Sequence, residues 1–383
     1  MNTKKIYYWS PFVDKVATVR SVINSVYSLN KFSKGNYEGV ILNASGEWSN
    51  LNLELNEKKI KVISFSKNFF ILKNSKIGLV KSRFSYMWIF ITCFMPLLRL
   101  LKKQKPDFLI IHLITILPIL LFLLFNFQTK LILRISGYPK LNFFRRTIWK
   151  MLSKKIHIVT VPTELTKKIL IDENIFNPDK IVLLKDPVIS CKDFLLKKKM
   201  LINLHPGIYK DKYILSVGRL TKQKNFIFLI NAFSELEKKI PDLKLVIIGE
   251  GEEKEILSLL IKKKNLTNKI FLIGYTDNLY HYYKNSLCFV LTSLWEDPGF
   301  VLIESGYYNK IVISSDCPSG PKELIAKDGG FLYKTNLLQD FINVFFNFIN
   351  SSNEDILKKK TTLKKRVKNY SLFSHYKNLI KIL

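Results

Sequence analysis

The sequence predicts an α/β protein made of two doubly wound domains, and three observations predict it. Short apolar runs of strand length alternate with stretches of helical length. That alternation fills the first half of the chain and then restarts in the second half, as two successive parallel-sheet arrays do. Between the halves lies a polar, irregular join, Asp186–Asp211, which carries His205-Pro206-Gly207. A chain of 383 residues with 48% hydrophobic and 24% charged residues is long and apolar enough to bury two cores.

In the first half the predicted strands are Lys4–Trp9, Gly39–Asn43, Lys61–Phe65, Phe108–Leu113, Leu131–Ile135, Ile156–Val161 and Ile181–Leu184. The second half begins with a strand at Tyr213–Val217, a helix at Phe226–Lys239, a strand at Lys244–Ile248 and a helix at Glu252–Lys264. It continues with a strand at Ile270–Leu272, a helix at Asn278–Asn285, a strand at Leu287–Thr292, a helix at Gly299–Tyr308 and a strand at Ile311–Ser314. One basic helix, Asn353–Ile382, is expected to close the chain. The expected domains are residues 1–190 and 191–365, with residues 366–383 a helix returning to the first.

Two apolar stretches invite a membrane reading. Phe108–Phe127 is twenty residues without a formal charge, long enough to span a bilayer. It divides, however, into a strand ending near His112 and a helix over Thr115–Phe127 with Pro118 in its first turn, where a missing N–H costs least. With the strand beyond it, this reads as a buried strand–helix–strand unit. Phe84–Leu101 is shorter, is interrupted by Pro96 and Arg99, and is a candidate for an interfacial amphipathic helix.

The formal charge is +31. Residues 1–190 hold 30 Lys and Arg against 11 Asp and Glu, and between Lys67 and Lys155 there are 17 basic residues and a single acid, Asp107. The same stretch carries 15 aromatic residues. No nucleic-acid module accompanies them, so nucleic acid is not the expected partner. An anionic membrane surface fits better; the plain alternative is a surface decorated with lysine. The four cysteines show no paired spacing, which points to a reducing compartment rather than a disulfide framework or zinc site. The first residues, MNTKKIYYWSPF, lack the apolar core of a signal peptide. The expected location is cytoplasmic and peripheral, on the inner face of the cell membrane.

Four segments carry chemistry. In YILSVGRLTKQKN a buried strand ends at Gly218 and is followed by Arg219 and Lys224. Cations just beyond the carboxyl edge of a parallel strand lie where doubly wound folds bind ligands, although a solvated basic turn would read the same. In LKLVIIGEGEEKEI, Gly249 and Gly251 supply half of a dinucleotide fingerprint and, alone, only a tight turn. In LWEDPGFVLIESG, Pro298 and Gly299 turn the chain into a helix whose first amides lack intrahelical partners and favour anions or hydroxyl oxygens. Glu296 and Glu304 bracket that turn, and carboxylates suit vicinal diols because each oxygen accepts a hydroxyl proton. Helix-start charge and an exposed loop acid are the plain explanations. SSDCPSGPKEL, from Ser314, adds a second amide-rich helix start.

Taken together, GRLTKQKN, GEGEE, EDPGFVLIE and SDCPSGPKEL, in that order and spacing, resemble the retaining GT-B glycosyltransferases of glycosyltransferase family four (glycosyl transferases group one). The match is dense over Tyr213–Gly330 and looser over the N-terminal half. The resemblance implies two Rossmann-like domains facing each other across a cleft, with the C-terminal helix crossing back to the N-terminal domain. It implies a nucleotide-sugar co-substrate and no metal or other cofactor; the family motifs do not select the nucleotide, and UDP is expected ahead of GDP. Arg219 and Lys224 would hold the donor diphosphate, and Glu296, with Pro298, Gly299 and Phe300, the donor sugar. Glu304 would bind the ribose, and Gly218, Gly249 and Gly251 would line the nucleotide pocket. The acceptor would be a lipid-linked or polysaccharide glycan, in O-antigen, capsule or lipid-linked oligosaccharide synthesis.

The N-terminal half departs from the family. The region after the first strand, WSPFVDKVATVR, has no glycine, and Ser136 in LILRISGYP stands where relatives often carry a histidine. His112, Arg134, Ser136 and Tyr138 are the cleft and acceptor candidates, and none is assigned as a general base. Two other readings stay open: a nucleotide-sugar epimerase of the same fold, and a non-catalytic membrane or polyanion binder.

Overall fold

A computed structural model describes residues 3–13, 17–65, 79–137, 139, 141–200, 208, 213–326 and 328–383. The chain forms two compact units: Met1–Val188 together with Leu372–Leu383, and Ile189–Ser371. The divisions expected at residues 190 and 365 thus lie near those of the compact units, which fall after Val188 and after Ser371.

Unit 1 runs β1 (Lys4–Trp9), α1 (Ala17–Phe32), β2 (Tyr37–Asn43), α2 (Asn52–Glu57), β3 (Lys61–Ser64), α3 (Leu79–Lys103), β4 (Phe108–Ile111), α4 (Ile116–Leu124), β5 (Lys130–Arg134), α5 (Phe143–Leu152), β6 (Ile158–Val161), α6 (Glu164–Asp172) and β7 (Ile181–Leu183). The strands form one seven-stranded sheet in the order β3-β2-β1-β4-β5-β6-β7, every pair parallel. Their near-continuous apolar sequences follow from burial on both faces. One face packs Ile89, Cys93, Leu97, Leu117, Leu121, Trp149 and Leu152 from α3, α4 and α5. The other packs Val19, Val22, Ile23 and Val26 of α1 with Leu379 near the chain end.

Unit 2 runs α7 (Cys191–Lys199), β8 (Tyr213–Val217), α8 (Phe226–Lys239), β9 (Lys244–Ile248), α9 (Lys254–Lys263), β10 (Ile270–Ile273), α10 (Tyr280–Asn285), β11 (Cys288–Leu291), α11 (Phe300–Tyr307), β12 (Val312–Ser315), α12 (Gly320–Ile325), β13 (Phe331–Tyr333), α13 (Leu338–Ile349) and α14 (Asn353–Val367). Its six parallel strands are ordered β10-β9-β8-β11-β12-β13. In each sheet the order reverses once, between β1 and β4 in unit 1 and between β8 and β11 in unit 2. Such switch points, at the carboxyl ends of the strands, are where open α/β sheets open a ligand crevice.

Three expectations change. The single closing helix is two: α14 ends at Val367, a turn of 3₁₀ helix spans Lys368–Tyr370, and α15 (Leu372–Leu379) belongs to unit 1. Buried Tyr370 and the extended Ser371 break the helix, and the Tyr370 carbonyl accepts from Ile189 N at 3.0 Å. The helix expected within Phe84–Leu101 is longer, α3 running from Leu79 to Lys103 with Pro96 inside it. The join is not wholly irregular: Ser190 caps α7, its hydroxyl accepting from Asp193 N at 3.3 Å. Phe108–Phe127 is the expected strand and helix, β4 and α4, with Pro118 in the first turn of α4.

Candidate active site

Unit 2 gathers the C-terminal candidates at the β8/β11 switch point. Gly218 directly follows β8, and its N–H donates to Ile248 O at 3.0 Å. The chain then turns through Arg219 and a 3₁₀ turn at Lys222–Lys224. That turn is stitched to the segment after β11: Leu294 N donates to Gln223 O at 2.8 Å, Gln223 Nε2 to Trp295 O at 2.8 Å, and Thr292 Oγ1 to Lys224 O at 2.8 Å. The stem of Lys224 lies against Gly218, whose missing side chain leaves it room. Its Nζ forms a hydrogen-bonded ion pair with Glu296 Oε1. Glu296 is 5% exposed, and a carboxylate this deeply withdrawn from water needs such partners. Ser293 Oγ supplies a second donor to Oε1 at 2.6 Å, and Ser293 O accepts from Ser315 Oγ at 2.7 Å. Arg219 is exposed at the same strand end.

The turn that aims this glutamate is held from β12. The Asp297–Pro298 bond is cis. Ser319 Oγ donates to Asp297 Oδ1 at 2.9 Å, and Glu296 bridges Ser319 in parallel pairing. Gly320 comes so close to Pro298 that a Cβ there would sit 1.6 Å from the Pro298 carbonyl oxygen. Gly299 then starts α11, its carbonyl accepting from Leu302 N and Ile303 N at 3.1 and 3.2 Å. The amides of Phe300 and Val301 thus fall in the first turn, outside intrahelical pairing. Phe300 and Glu304 are half-buried on α11. The charge of Glu304, after burial, helps push the Tyr283 phenol well above its ordinary pKa.

Gly249 and Gly251 complete the edge. Gly249 has φ +153°, and a Cβ on it would lie 1.9 Å from Gly218 O. One on Gly251 would lie 2.3 Å from Leu220 O. The β9 loop therefore lies directly against the β8 loop, with Leu220 N donating to Glu250 O at 2.9 Å. Four loops, after β8, β9, β11 and β12, thus converge.

In unit 1, His112 follows β4 at the β1/β4 switch point, its N–H donating to Trp9 O at 2.8 Å. Ser136 Oγ lies 3.4 Å from His112 Nδ1. Burial first, then the charge of Arg134, pushes the imidazole well below its ordinary pKa, so it is neutral. Arg134 itself faces inward. It pairs with Asp186 at 2.8 Å and donates to Leu184 O at 2.5 Å, and its side chain is almost fully buried. Asp186 also accepts from Ser21 Oγ at 2.7 Å. Beside them His375 of α15 is held by Lys185 O at 2.7 Å and Ser25 Oγ at 2.8 Å. Arg134 is thus a tie within unit 1. Tyr138 lies outside the described residues.

Sequence reasoning missed Ser293, Ser315 and Ser319, which hold the Glu296 turn. Their only signal was hydroxyl residues clustered at strand ends. It also missed Cys317, buried beside the pair, whose thiol is pushed up to about 12 by burial and by the charge of Glu296.

Residues 205–369 match the family model of glycosyl transferases group 1. An uncharacterized glycosyltransferase of Methanocaldococcus jannaschii, MJ1059, is 32% identical over 336 residues, 82% of this chain and 77% of that relative. A Campylobacter jejuni N-acetylgalactosamine-N,N'-diacetylbacillosaminyl-diphospho-undecaprenol 4-alpha-N-acetylgalactosaminyltransferase is 45% identical over 119 residues, 31% of this chain and 32% of that one. Among solved structures, HepE of Anabaena in complex with UDP and glucose superposes with a TM-score of 0.73 at 13% identity, over 99% of this chain and 98% of its own.

Proposed function

The chain belongs to the group 1 glycosyl transferases and is a transferase of GT-B architecture, and from that premise we propose the reaction. The protein moves a hexose or N-acetylhexosamine, with retention of anomeric configuration, from a UDP-sugar to a glycan acceptor borne on a membrane lipid. The observation that carries this is the buried Lys224–Glu296 pair at the β8/β11 switch point, beside the first turn of α11. A lipid-linked acceptor is in keeping with the diphospho-undecaprenol named for the Campylobacter relative, and a UDP donor with the UDP bound in HepE.

In this reading Arg219 and Lys224 take the donor diphosphate, Arg219 through its planar fork. Lys224 has three N–H donors, so it keeps Glu296 while adding a phosphate oxygen. Glu296 and the amides of Phe300 and Val301 hold sugar hydroxyls, and Glu304 accepts from the ribose diol. The close backbone approach at Gly218, Gly249 and Gly251 lets the nucleotide lie against main chain, with the base near the segment after Leu272. The bond from the anomeric carbon to the diphosphate oxygen breaks, and its electron pair stays on the diphosphate. The acceptor oxygen bonds the same face of that carbon, and its proton passes to the departing diphosphate. The two cations offset the charge that grows on the leaving group, so no metal ion is required. Neutral His112 and Ser136 are the acceptor-side contacts. The enzyme works in the cytoplasm, at the inner face of the membrane.

Incubation with UDP- and GDP-sugars, with and without lipid-linked acceptors, tests this reading. Sugar-dependent nucleoside diphosphate release that rises with acceptor is expected. Epimerised sugar, or no release from any donor, overturns it.

A further inference from the structure

We propose that unit 1 docks on an anionic lipid leaflet through an apolar ledge at the carboxyl edge of its sheet. The ledge is built from the N-terminal half of α3, the start of α4 and the start of α5. It lies on the same sheet edge as His112 and Ser136. That the acceptor is delivered there from the lipid rests on the proposed transferase reaction; the docking itself stands on an exposed apolar stripe of α3 and the cations around it.

α3 is apolar on two sides. Ile89, Cys93, Leu97 and Leu101 face the core at four-residue spacing. Phe84, Trp88, Ile91 and Met95, with Met87, form a second stripe that is exposed, Phe84 and Ile91 each at 65%. A surface helix of a globular domain ordinarily needs only the first stripe.

Hydrogen bonds fix the level of this helix against the sheet. Gln104 Oε1 accepts from Tyr7 OH at 2.7 Å, and Cys93 Sγ donates to Ala44 O at 3.3 Å, just past the end of β2. From Cys93 back to Phe84, at ~1.5 Å per residue, α3 therefore overhangs the strand ends by roughly 13 Å. The other exposed apolar residues of this face gather at the same edge. Leu113 follows β4 next to His112, Ile116 opens α4, and Phe143 and Phe144 come directly after Asn142, the cap of α5. Phe143 is 86% exposed.

Charge selects the occupant. From residue 84 to residue 155 the chain carries 12 Lys and Arg and one acid, Asp107. Arg145 and Arg146 are exposed in the first turn of α5, directly after Phe143 and Phe144, whereas Arg99, Lys102, Lys103 and Lys150 lie toward the opposite edge of the sheet. Apolar side chains beside a surplus of cations match the boundary of an anionic leaflet, where stable attachment takes both signals. α3 is long and apolar enough to cross a bilayer. Because its other stripe is part of the unit 1 core, it lies on the membrane rather than through it.

The test is cosedimentation of the full chain with vesicles of phosphatidylethanolamine and phosphatidylglycerol, against vesicles of phosphatidylcholine alone. Two paired variants change only exposed side chains: Trp88→Ser with Ile91→Ser, and Phe143→Ser with Phe144→Ser. We expect binding to the anionic vesicles, a fall of about tenfold or more in partitioning for each pair, and unchanged thermal midpoints. Loss of binding in the variants supports the ledge even if no donor sugar is turned over, an outcome that counts only against the reaction. Unchanged partitioning in both pairs overturns the ledge. So does complete release of the wild type by roughly 0.5 M salt, since charge alone is then responsible. Concentration-dependent dimers abolished by the same substitutions also overturn it, assigning the ledge to a second copy of the chain.

Discussion

At the switch point of unit 2, a lysine and a glutamate distant in sequence are locked together, and the glutamate receives a second hydrogen bond from Ser293. At the switch point of unit 1, the charged groups turn inward: Arg134 pairs with Asp186, and among the described candidates His112 and Ser136 remain near the strand ends. The first edge is polar, crowded and fixed, with loops that touch only because glycines let them. The second carries exposed phenylalanines and an overhanging apolar helix. On the proposed reaction, the two edges would serve two tasks. A small, highly charged donor needs groups pre-positioned on rigid elements, whereas an acceptor borne on a lipid needs a surface that meets the lipid.

The largest expected effect breaks the polar edge. Lys224→Ala removes the proposed leaving-group cation and leaves Glu296 buried with Ser293 as its side-chain donor among the described residues. Turnover should fall by about 10² to 10³, measured as nucleoside diphosphate release. A rate near wild type would mean the pair is merely structural.

Acid should separate the units next. Burial, more than any other influence, holds His375 down at about 4 in the folded protein, against ~6.5 unfolded. The unfolded chain therefore binds more protons across that window, and stability present above pH ~6.5 is lost as pH falls toward 4. The full shift corresponds to about 3 kcal/mol, and His112, also held low, adds in the same direction. The thermal midpoint of unit 1 should drop between pH 7 and 4.5, and His375→Asn should flatten that slope.

Gly320→Ala sharpens the comparison from the other side. A Cβ 1.6 Å from Pro298 O cannot be accommodated, so unit 2 should lose more than about 2 kcal/mol, read as its thermal midpoint, while unit 1 keeps its own. The smallest effect is at the acceptor side. Ser136→Ala should raise the acceptor KM a few-fold, about 1 kcal/mol, at unchanged donor affinity.

The units also differ in how far their sequences reveal them. Strands Tyr213–Val217 and Lys244–Ile248 and helix Phe226–Lys239 were legible to the residue. Buried parallel strands are continuous apolar runs, and polar turns bound them. Lys224 and Glu296 each stood out by position, but their pairing did not, because it depends on the β8 and β11 loops meeting in space. Arg134 ends an apolar strand much as Arg219 comes after β8, and local sequence does not distinguish them. What separates them is Asp186, far along the chain, which closes over Arg134 and has no counterpart at Arg219 among the described residues. The break at Tyr370–Ser371 was hidden for a similar reason, since the pairing of Ile189 with Ser371 decides it. Phe84–Leu101 was legible as an amphipathic helix, but which of its apolar residues face the core and which stay exposed was not, because apolar periodicity looks alike on both faces.

The central claim is that the donor belongs to unit 2, and calorimetric titration of a UDP-sugar into the wild type, Glu304→Ala and Ser136→Ala tests it most directly. Removing the Glu304 carboxylate should weaken donor binding about tenfold, near 1.4 kcal/mol, and removing the Ser136 hydroxyl should leave it unchanged. Donor affinity that survives Glu304→Ala and falls with Ser136→Ala would contradict the account.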